Sequence, residues 1–263
     1  QLFRNVGDGT FTEAGLWAGV AYDEDGNTFA GMGLDFADYD NDGWPDLFIN
    51  ALANERYALY RNREGSFEYV TGPSQVGVIT ALHSGWGTAF LDYDNDGWKD
   101  LFVAQGHVMD NIELKQPSMR YLEPFLLMKN RQGSFQDVSE QSGDAFLVPR
   151  PGRGAVAADL DNDGFLDLAV NCNNESSVVL QNEGVPGRHW LLLDTVGTVS
   201  NRDGIGAQIR IISESGLEQH AMVSTAGSYL SSGDKRVHFG LGGDKKVRLI
   251  EVRWPSGIVQ SIE

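Results

Sequence analysis

Cysteine, basic residues and long apolar runs are all scarce in this sequence, and each scarcity excludes a class of protein. Its one cysteine, Cys172, rules out a disulfide framework or a CxxC zinc pair, so a buried structural thiol is expected there. Lysine and arginine total 20 against 37 acidic residues, so no basic stripe can meet a phosphate backbone. No apolar run approaches the ~20 residues of a membrane span. We therefore expect no nucleic-acid partner and no membrane-spanning segment.

Catalytic signatures are also missing. The sequence has no GxSxG, HExxH or P-loop pattern, and its GxG pairs lack the third glycine and the helix of a dinucleotide site. His83, which precedes Ser84, and His107 are the candidates for a general base, but scattered histidines are more often hydrogen-bonding residues of the scaffold. We therefore expect a protein that is not an enzyme.

What the sequence does contain is an internal repeat. The stretches GMGLDFADYDNDGWPDLFI, GWGTAFLDYDNDGWKDLFV and GRGAVAADLDNDGFLDLAV, which begin at Gly31, Gly85 and Gly152, align without a gap. A second element follows each of them, as LYRNREGSF, LMKNRQGSF and the shorter LQNEG, and the chain opens on the same element as LFRNVGDGTF. The sequence thus begins inside a repeat, and we expect an excised or processed chain.

The repeat predicts an all-β fold. Its segments are short, rich in Val, Phe, Tyr and Ile, and separated by Gly and Asn, and helical periodicity is nowhere sustained. Repeats of this size with about four strands each are typical of β-propeller blades. Three complete units cannot close a ring, so either blades precede them or something else closes the array. Alternating strands from His189 onward predict a small β-sandwich.

We therefore expect two domains. Residues 1–187 would hold three complete blades and part of a preceding one, which together make a partial propeller, and residues 188–263 would form the sandwich. The greater spacing between the second and third repeats indicates an inserted loop, hereafter the insertion (residues 107–124). In the tail, NRDGIGA clusters Asn201, Arg202 and Asp203 either as a binding loop or as a structural turn whose glycines allow positive φ.

The pattern D-x-D-N-D-G-x-x-D in each repeat indicates a metal site. Its glycine permits a sharp turn, and its carboxylates can surround one hard cation together with the backbone carbonyl of the seventh residue. Without a cation, two carboxylates ~4 Å apart repel each other by roughly 4 kcal/mol at an effective dielectric constant of about 20. Calcium is favoured because magnesium retains several waters, whereas this loop supplies mostly protein oxygens.

Two other structures, the EF-hand and the Asp-Gly hairpin turn, share parts of this pattern. An EF-hand requires a bidentate glutamate at position twelve, where this chain has Ile49, Val103 and Val170, so the spacing excludes it. A metal-free Asp-Gly hairpin turn would explain one copy. Three copies that retain every aspartate favour the metal.

The repeat, as in DFADYDNDGWPDLFI, resembles the FG-GAP (VCBS) repeat of integrin α-type propellers. In the tail, SNRDGIGAQIRI, GSYLSSGDKRVHFGLG and IEVRWPSGIVQ resemble the ASPIC/UnbV domain, and the combination is similar to bacterial-type members of the cartilage acidic protein family. The resemblance implies a secreted or surface propeller without established catalytic activity. It also implies one Ca²⁺ in each of the three loops, with the following ligands: Asp38, Asp40, Asp42, Trp44 and Asp46; Asp92, Asp94, Asp96, Trp98 and Asp100; Asp159, Asp161, Asp163, Phe165 and Asp167. Trp44, Trp98 and Phe165 would contribute only carbonyls.

Taken together, these patterns predict a calcium-stabilised extracellular binding module for a protein or glycan ligand at a cell surface or in a matrix. Extracellular calcium modules bind in the range of about 10⁻⁴ to 10⁻³ M, which favours a secreted, periplasmic or surface location. Recognition would use the insertion, because long loops on rigid scaffolds carry binding residues. The alternative is a carbohydrate-active protein, a lectin or polysaccharide lyase, with His107, Arg120 and Tyr121 beginning a cleft.

Overall fold

The computed structural model describes all 263 residues, and its sheets are built from antiparallel strand pairs. The strands are β1 (Phe3–Asn5), β2 (Phe11–Glu13), β3 (Leu34–Ala37), β4 (Asp46–Ile49), β5 (Ala58–Arg63), β6 (Ser66–Tyr69), β7 (Gly85–Leu91), β8 (Asp100–Gln105), β9 (Leu126–Asn130), β10 (Phe135–Asp137), β11 (Gly152–Ala158), β12 (Asp167–Cys172), β13 (Val178–Leu180), β14 (His189–Leu193), β15 (Gln208–Ser213), β16 (Glu218–Met222), β17 (Val237–Gly242), β18 (Val247–Arg253) and β19 (Val259–Ile262). The helices are short: α1 (Gly15–Ala18), α2 (Val76–Thr80) and 3-10 turns at Ile112–Leu114, Ser139–Gln141 and Asp144–Leu147. The all-β expectation is confirmed.

The repeats form propeller blades. Blade 1 contains β3 to β6 and blade 2 contains β7 to β10, each as a four-stranded meander, and β1 with β2 forms a separate hairpin. The first strands of the three repeats, β3, β7 and β11, lie next to one another, as the inner strands of adjacent blades do.

Blade 3 has three strands, β11 to β13, rather than four. The segment that follows β13 contains Gly184, at φ +74°, and Pro186, and a proline has no N–H to donate to a strand ladder. The shortened LQNEG element therefore leads out of the blade instead of turning back as a hairpin.

Neighbouring blades bury their apolar faces against each other. Phe48, Leu59 and Met128 belong to one cluster that joins blades 1 and 2, and all three are inaccessible to solvent. A second cluster joins blades 2 and 3 and includes Phe102 and Cys172, whose free thiol is buried as expected. Each blade is thus stabilised mainly by its neighbour, which is the general behaviour of repeat proteins.

The C-terminal region is a small β-sandwich, as predicted. One sheet pairs β14 with β17, and the other has the order β16-β15-β18-β19. Alternate residues of these strands, among them Ile209, Ile211, Phe239 and Val252, point inward and form a separate apolar core.

The sandwich also packs on the inner strands of the blades. The hydroxyl of Ser228 accepts a hydrogen bond from the Thr88 N–H at 3.1 Å, and that of Ser231 accepts one from the Ala155 N–H at 3.0 Å. Thr88 and Ala155 each follow a shift of register within their blade. The Tyr229 ring meets that of Trp86 edge-on at 5.0 Å. The C-terminal sandwich therefore covers this side of the blade array.

Candidate metal centres

Three aspartate-rich loops connect the first two strands of the blades. We name them loop 1 (residues 38–46), loop 2 (92–100) and loop 3 (159–167). In each, the first aspartate organises the turn: the carboxylate of Asp38 accepts the N–H groups of Asp42 at 3.0 Å and Gly43 at 2.9 Å. The glycine at position six is left-handed in all three loops, with φ of +93° at Gly43, +89° at Gly97 and +90° at Gly164. Glycine is needed there because a Cβ would be strained at such φ values.

The loops bring together three carboxylates each. Oxygen atoms of these carboxylates lie within 4.8 Å of one another in the groups Asp38, Asp40 and Asp42; Asp92, Asp94 and Asp96; and Asp159, Asp161 and Asp167. In every group at least one buried carboxylate oxygen has no hydrogen-bond donor: both oxygens of Asp40, and Oδ1 of Asp94 and of Asp159. A buried acceptor without a donor is uncommon, and a hard cation would satisfy it. The residues present in each loop therefore fit a hard metal cation.

Burial makes several carboxylates of loops 1 and 2 resist ionisation. Loss of solvent, with a smaller contribution from neighbouring carboxylates, raises the pKa of Asp38 to about 6 and that of Asp46 to about 8. In loop 2 burial raises the pKa of Asp92 to about 7 and that of Asp100 well above its usual range. A bound divalent cation would favour the ionised carboxylates instead.

The ninth-position aspartates accept backbone hydrogen bonds from other segments of their own blades. Both oxygens of Asp46 accept backbone N–H groups, Oδ1 from Asn62 at 2.7 Å and Oδ2 from Tyr39 at 3.1 Å. Asp100 and Asp167 make the equivalent pairs of bonds. Asp46 and Asp100 lie outside the three-carboxylate groups, whereas Asp167 lies inside one. Their part in metal binding stays a prediction.

An asparagine of the second repeat element was missed by sequence reasoning. The Asn130 amide donates to the carbonyls of Tyr39 at 2.7 Å and Lys99 at 2.9 Å, and its Oδ1 accepts the Gly133 N–H. Asn182 does the same in blade 3, where its partners include the Tyr93 carbonyl. Each of these two asparagines thus joins its own blade to the loop of the previous blade. The signal was present as the invariant N of LYRN, LMKN and LQN.

The loops are also linked by the asparagine at their fourth position. The Asn41 amide donates to the Gly97 carbonyl and that of Asn95 to the Gly164 carbonyl, both at 3.0 Å. These asparagines have left-handed φ values, a conformation that Asn tolerates better than most residues. In loop 3 the amide oxygen of Asn162 instead accepts Arg236 NH1 of the sandwich at 2.8 Å. The sandwich thus follows loop 3 where a further blade would follow it.

The sandwich approaches loop 2 closely as well. The Gly242 N–H donates to the Asn95 carbonyl at 2.7 Å, and the Lys99 ammonium donates to the His238 carbonyl at 3.2 Å. The position of Gly240 is so tight that a Cβ there would lie 2.6 Å from the Asn95 Cα. Loops 2 and 3 are therefore part of an interface within the chain.

Comparison with known families matches both parts of this architecture. Residues 38–103, which span loops 1 and 2, match the FG-GAP-like repeat model, and residues 197–263 match the ASPIC and UnbV model. The chain combines FG-GAP-like repeats with an ASPIC and UnbV domain.

Relatives that align with nearly the whole of this chain confirm the resemblance. The chain is 29% identical to human (Homo sapiens) cartilage acidic protein 1 over 270 residues, which cover 97% of this chain and 37% of that protein. It is 28% identical to the mouse (Mus musculus) protein over 269 residues, with 97% and 38% covered. The chain thus spans less than two fifths of the length of these relatives.

The chain has no helix with the length and apolar character needed to cross a membrane.

The seventh residue of each of loops 1, 2 and 3 is held by a hydrogen bond from its backbone N–H. The N–H groups of Trp44, Trp98 and Phe165 donate to the fifth-position aspartates at 3.0, 3.1 and 2.8 Å. This bond holds the backbone of the residue whose carbonyl, in the next peptide unit, is predicted to bind the ion. Asp163, the acceptor in loop 3, is exposed and lies outside the three-carboxylate group.

The candidate residues of the insertion are engaged within the chain. His107 is buried, and its Nδ1 accepts the Met109 N–H at 3.0 Å. The Arg120 guanidinium donates to the carbonyls of Pro117 and Met119, and the Tyr121 hydroxyl accepts from Asn173. These contacts order the insertion itself.

Two further candidates have structural partners. His83 Nδ1 lies 2.9 Å from the buried carboxylate of Glu123. In the ASPIC and UnbV domain, Asn201 bonds both the N–H and the carbonyl of Ile205 at 2.8 Å, and Gly204 and Gly206 have positive φ. These bonds support the interpretation of NRDGIGA as a structural turn.

Proposed function

We propose that this protein is a non-enzymatic extracellular recognition module whose blades are stabilised by calcium in loops 1, 2 and 3. The observation that carries the proposal is the buried carboxylate oxygen without a donor, which recurs in every loop. The proposed ligands are the aspartates at positions one, three, five and nine and the carbonyl at position seven. We also propose that the domain boundary lies between residues 187 and 188, just before β14.

Calcium has a structural role in this proposal. Each loop joins the two innermost strands of its blade, and it contacts either the next loop or the sandwich through the asparagine at position four. Neutralising the crowded carboxylates would remove repulsion from the connection on which blade packing depends. The metal would hold the scaffold, and the recognition of partners would fall to other surfaces.

The insertion is the surface we propose for recognition of a protein or glycan ligand. It is anchored by buried Ile112 and Met119, which pack with Ala53 of blade 1, while Leu114 remains 86% exposed. An ordered loop that exposes an apolar side chain loses little entropy on binding. The relatives are named for cartilage, which supports a secreted or surface location over a periplasmic one.

Calorimetric titration of the chelator-treated chain with calcium tests the proposal. We expect one binding event per loop and a melting temperature that rises with calcium, because a ligand bound only by the folded state stabilises that state. Magnesium at the same concentration is the control and should bind more weakly. Absence of both heat and a thermal shift at millimolar calcium would contradict the proposal.

Binding by the insertion is tested separately. Leu114→Ala should weaken capture of a matrix or glycan ligand on an array without changing the melting temperature, because the side chain is exposed. Loss of glycan binding alone would favour the carbohydrate-active alternative.

A further inference from the structure

The three loops differ in the side chain that reaches them from the second repeat element. The residue just before the invariant asparagine is Arg61 in blade 1, Lys129 in blade 2 and Gln181 in blade 3. Each of these side chains contacts the third-position carboxylate of the loop in its own blade. The same repeat position thus places a cation beside loop 1 and beside loop 2, and a neutral amide beside loop 3.

Loop 2 receives a buried ammonium group. Lys129 Nζ contacts the carboxylates of Asp94 and Asp96, the latter at 3.0 Å, and the lysine side chain is only 7% exposed. Lys129 Nζ also lies 5.6 Å from the centre of the Tyr93 ring. The ammonium therefore already neutralises two of the carboxylates that a calcium ion would use, while Asp94 Oδ1 is left without a donor.

Loop 1 receives a guanidinium that is more exposed. Arg61 Nε lies 2.6 Å from Asp40 Oδ2, and its NH2 lies 3.5 Å from Asp42 Oδ2. Its side chain is 29% exposed, so water screens its charge more than that of Lys129.

Loop 3 has no cation at this position. The neutral amide of Gln181 donates from Nε2 to Asp161 Oδ2 at 2.7 Å, and the residue is exposed. The Arg236 guanidinium of the sandwich bonds the Asp159 backbone carbonyl and the Asn162 amide rather than the carboxylates. The negative charge of the carboxylate group in loop 3 is thus the least compensated of the three.

We propose that the residue before the invariant asparagine grades the calcium affinity of the loops, with loop 3 tightest, loop 1 intermediate and loop 2 weakest. Lys129 acts as a built-in cation that calcium must displace from Asp94 and Asp96. The inference rests on the proposed calcium function. Its physical basis is that the net charge of the ligand set tunes the affinity of calcium sites, and that a like charge within a few ångströms opposes a divalent ion.

The test is a calcium titration of the full chain after chelation, with the binding heat measured by calorimetry. The unaltered chain is compared with two variants in which the residue before the invariant asparagine is changed to the one found in the other repeat. Lys129→Gln should make the weakest site about tenfold tighter or more, and Gln181→Lys should weaken the tightest site by about the same factor. Arg131→Gln is the matched control, because it removes a cation one residue past Asn130 that is exposed and makes no ion pair. It should leave all sites within about twofold of the original.

The outcomes separate this inference from the calcium function on which it rests. If the unaltered chain binds no calcium, the proposed function fails first. If it binds calcium but neither exchange changes any site, or if Lys129→Gln weakens loop 2, then Lys129 supports the site instead of competing with calcium, and the inference is wrong. Gln181→Lys changes an exposed residue, so it remains informative even if Lys129→Gln prevents folding.

Discussion

Replacing Asn130 by alanine probes the connection between blades 1 and 2. Asn130 is 1% exposed, and its side chain makes three hydrogen bonds, of which the bond to the Tyr39 carbonyl crosses to the loop of blade 1. The substitution leaves the backbone bond from Asn130 to Asp100 in place. It therefore removes only the contacts of the amide group.

The expected cost follows from those contacts. Two backbone carbonyls, of Tyr39 and Lys99, lose their amide donor in a buried or partly buried place, and each such loss costs about 1–3 kcal/mol. The Gly133 N–H lies in a turn that water can reach, so the loss of its hydrogen bond to Asn130 lowers the free energy of unfolding by less. We expect the free energy of unfolding to fall by about 2–4 kcal/mol.

Urea unfolding at saturating calcium, followed by tryptophan fluorescence, measures this change. Asn5→Ala is the matched control, because Asn5 occupies the same repeat position in the β1–β2 hairpin and is exposed, and its side chain accepts a hydrogen bond only from the Gly7 N–H, at 2.9 Å. Its substitution should cost less than about 0.5 kcal/mol. Equal costs for Asn130→Ala and Asn5→Ala would refute the idea that the asparagine stabilises the chain by joining blades.

Two other predictions concern contacts between parts of the chain. Asp35 accepts the Phe90 N–H of blade 2, and burial raises its pKa from 3.8 to about 6. Because the folded chain then retains a proton that the unfolded chain has lost, Asp35 makes stability fall as pH rises from 3.8 to about 6. Asp35→Asn should flatten the dependence of the melting temperature on pH in that window, and an unchanged slope would contradict the assignment. Gly240→Ala should separate the sandwich from loop 2, because the new Cβ would lie 2.6 Å from the Asn95 Cα, whereas Gly243→Ala meets nothing within 4 Å. Hydrogen exchange at loop 2 should accelerate in the first variant alone; equal protection in both would show that the interface adjusts.

Much of the fold and of the candidate site follows from local sequence. The period of the repeat, the short β-branched and aromatic segments and the glycines between them predict blades and a sandwich because strand formation and turns depend on neighbouring residues. The spacing also predicts that the aspartates of each loop come together, as Asp38, Asp40 and Asp42 do, although loop 3 groups its ninth-position rather than its fifth-position aspartate. The sequence thus determined which loops carry clustered carboxylates.

Tertiary structure decided how those groups are used. Asn130 and Tyr39 are 91 residues apart, and Arg236 and Asn162 are 74 apart, so no local pattern indicates that they meet. Lys129 is distant in sequence from Asp94 and becomes its partner only when β9 pairs with β8. Buried hydrogen bonds and ion pairs between distant segments depend on which strands pack together, and their strength depends on the exclusion of water, which only the folded chain provides.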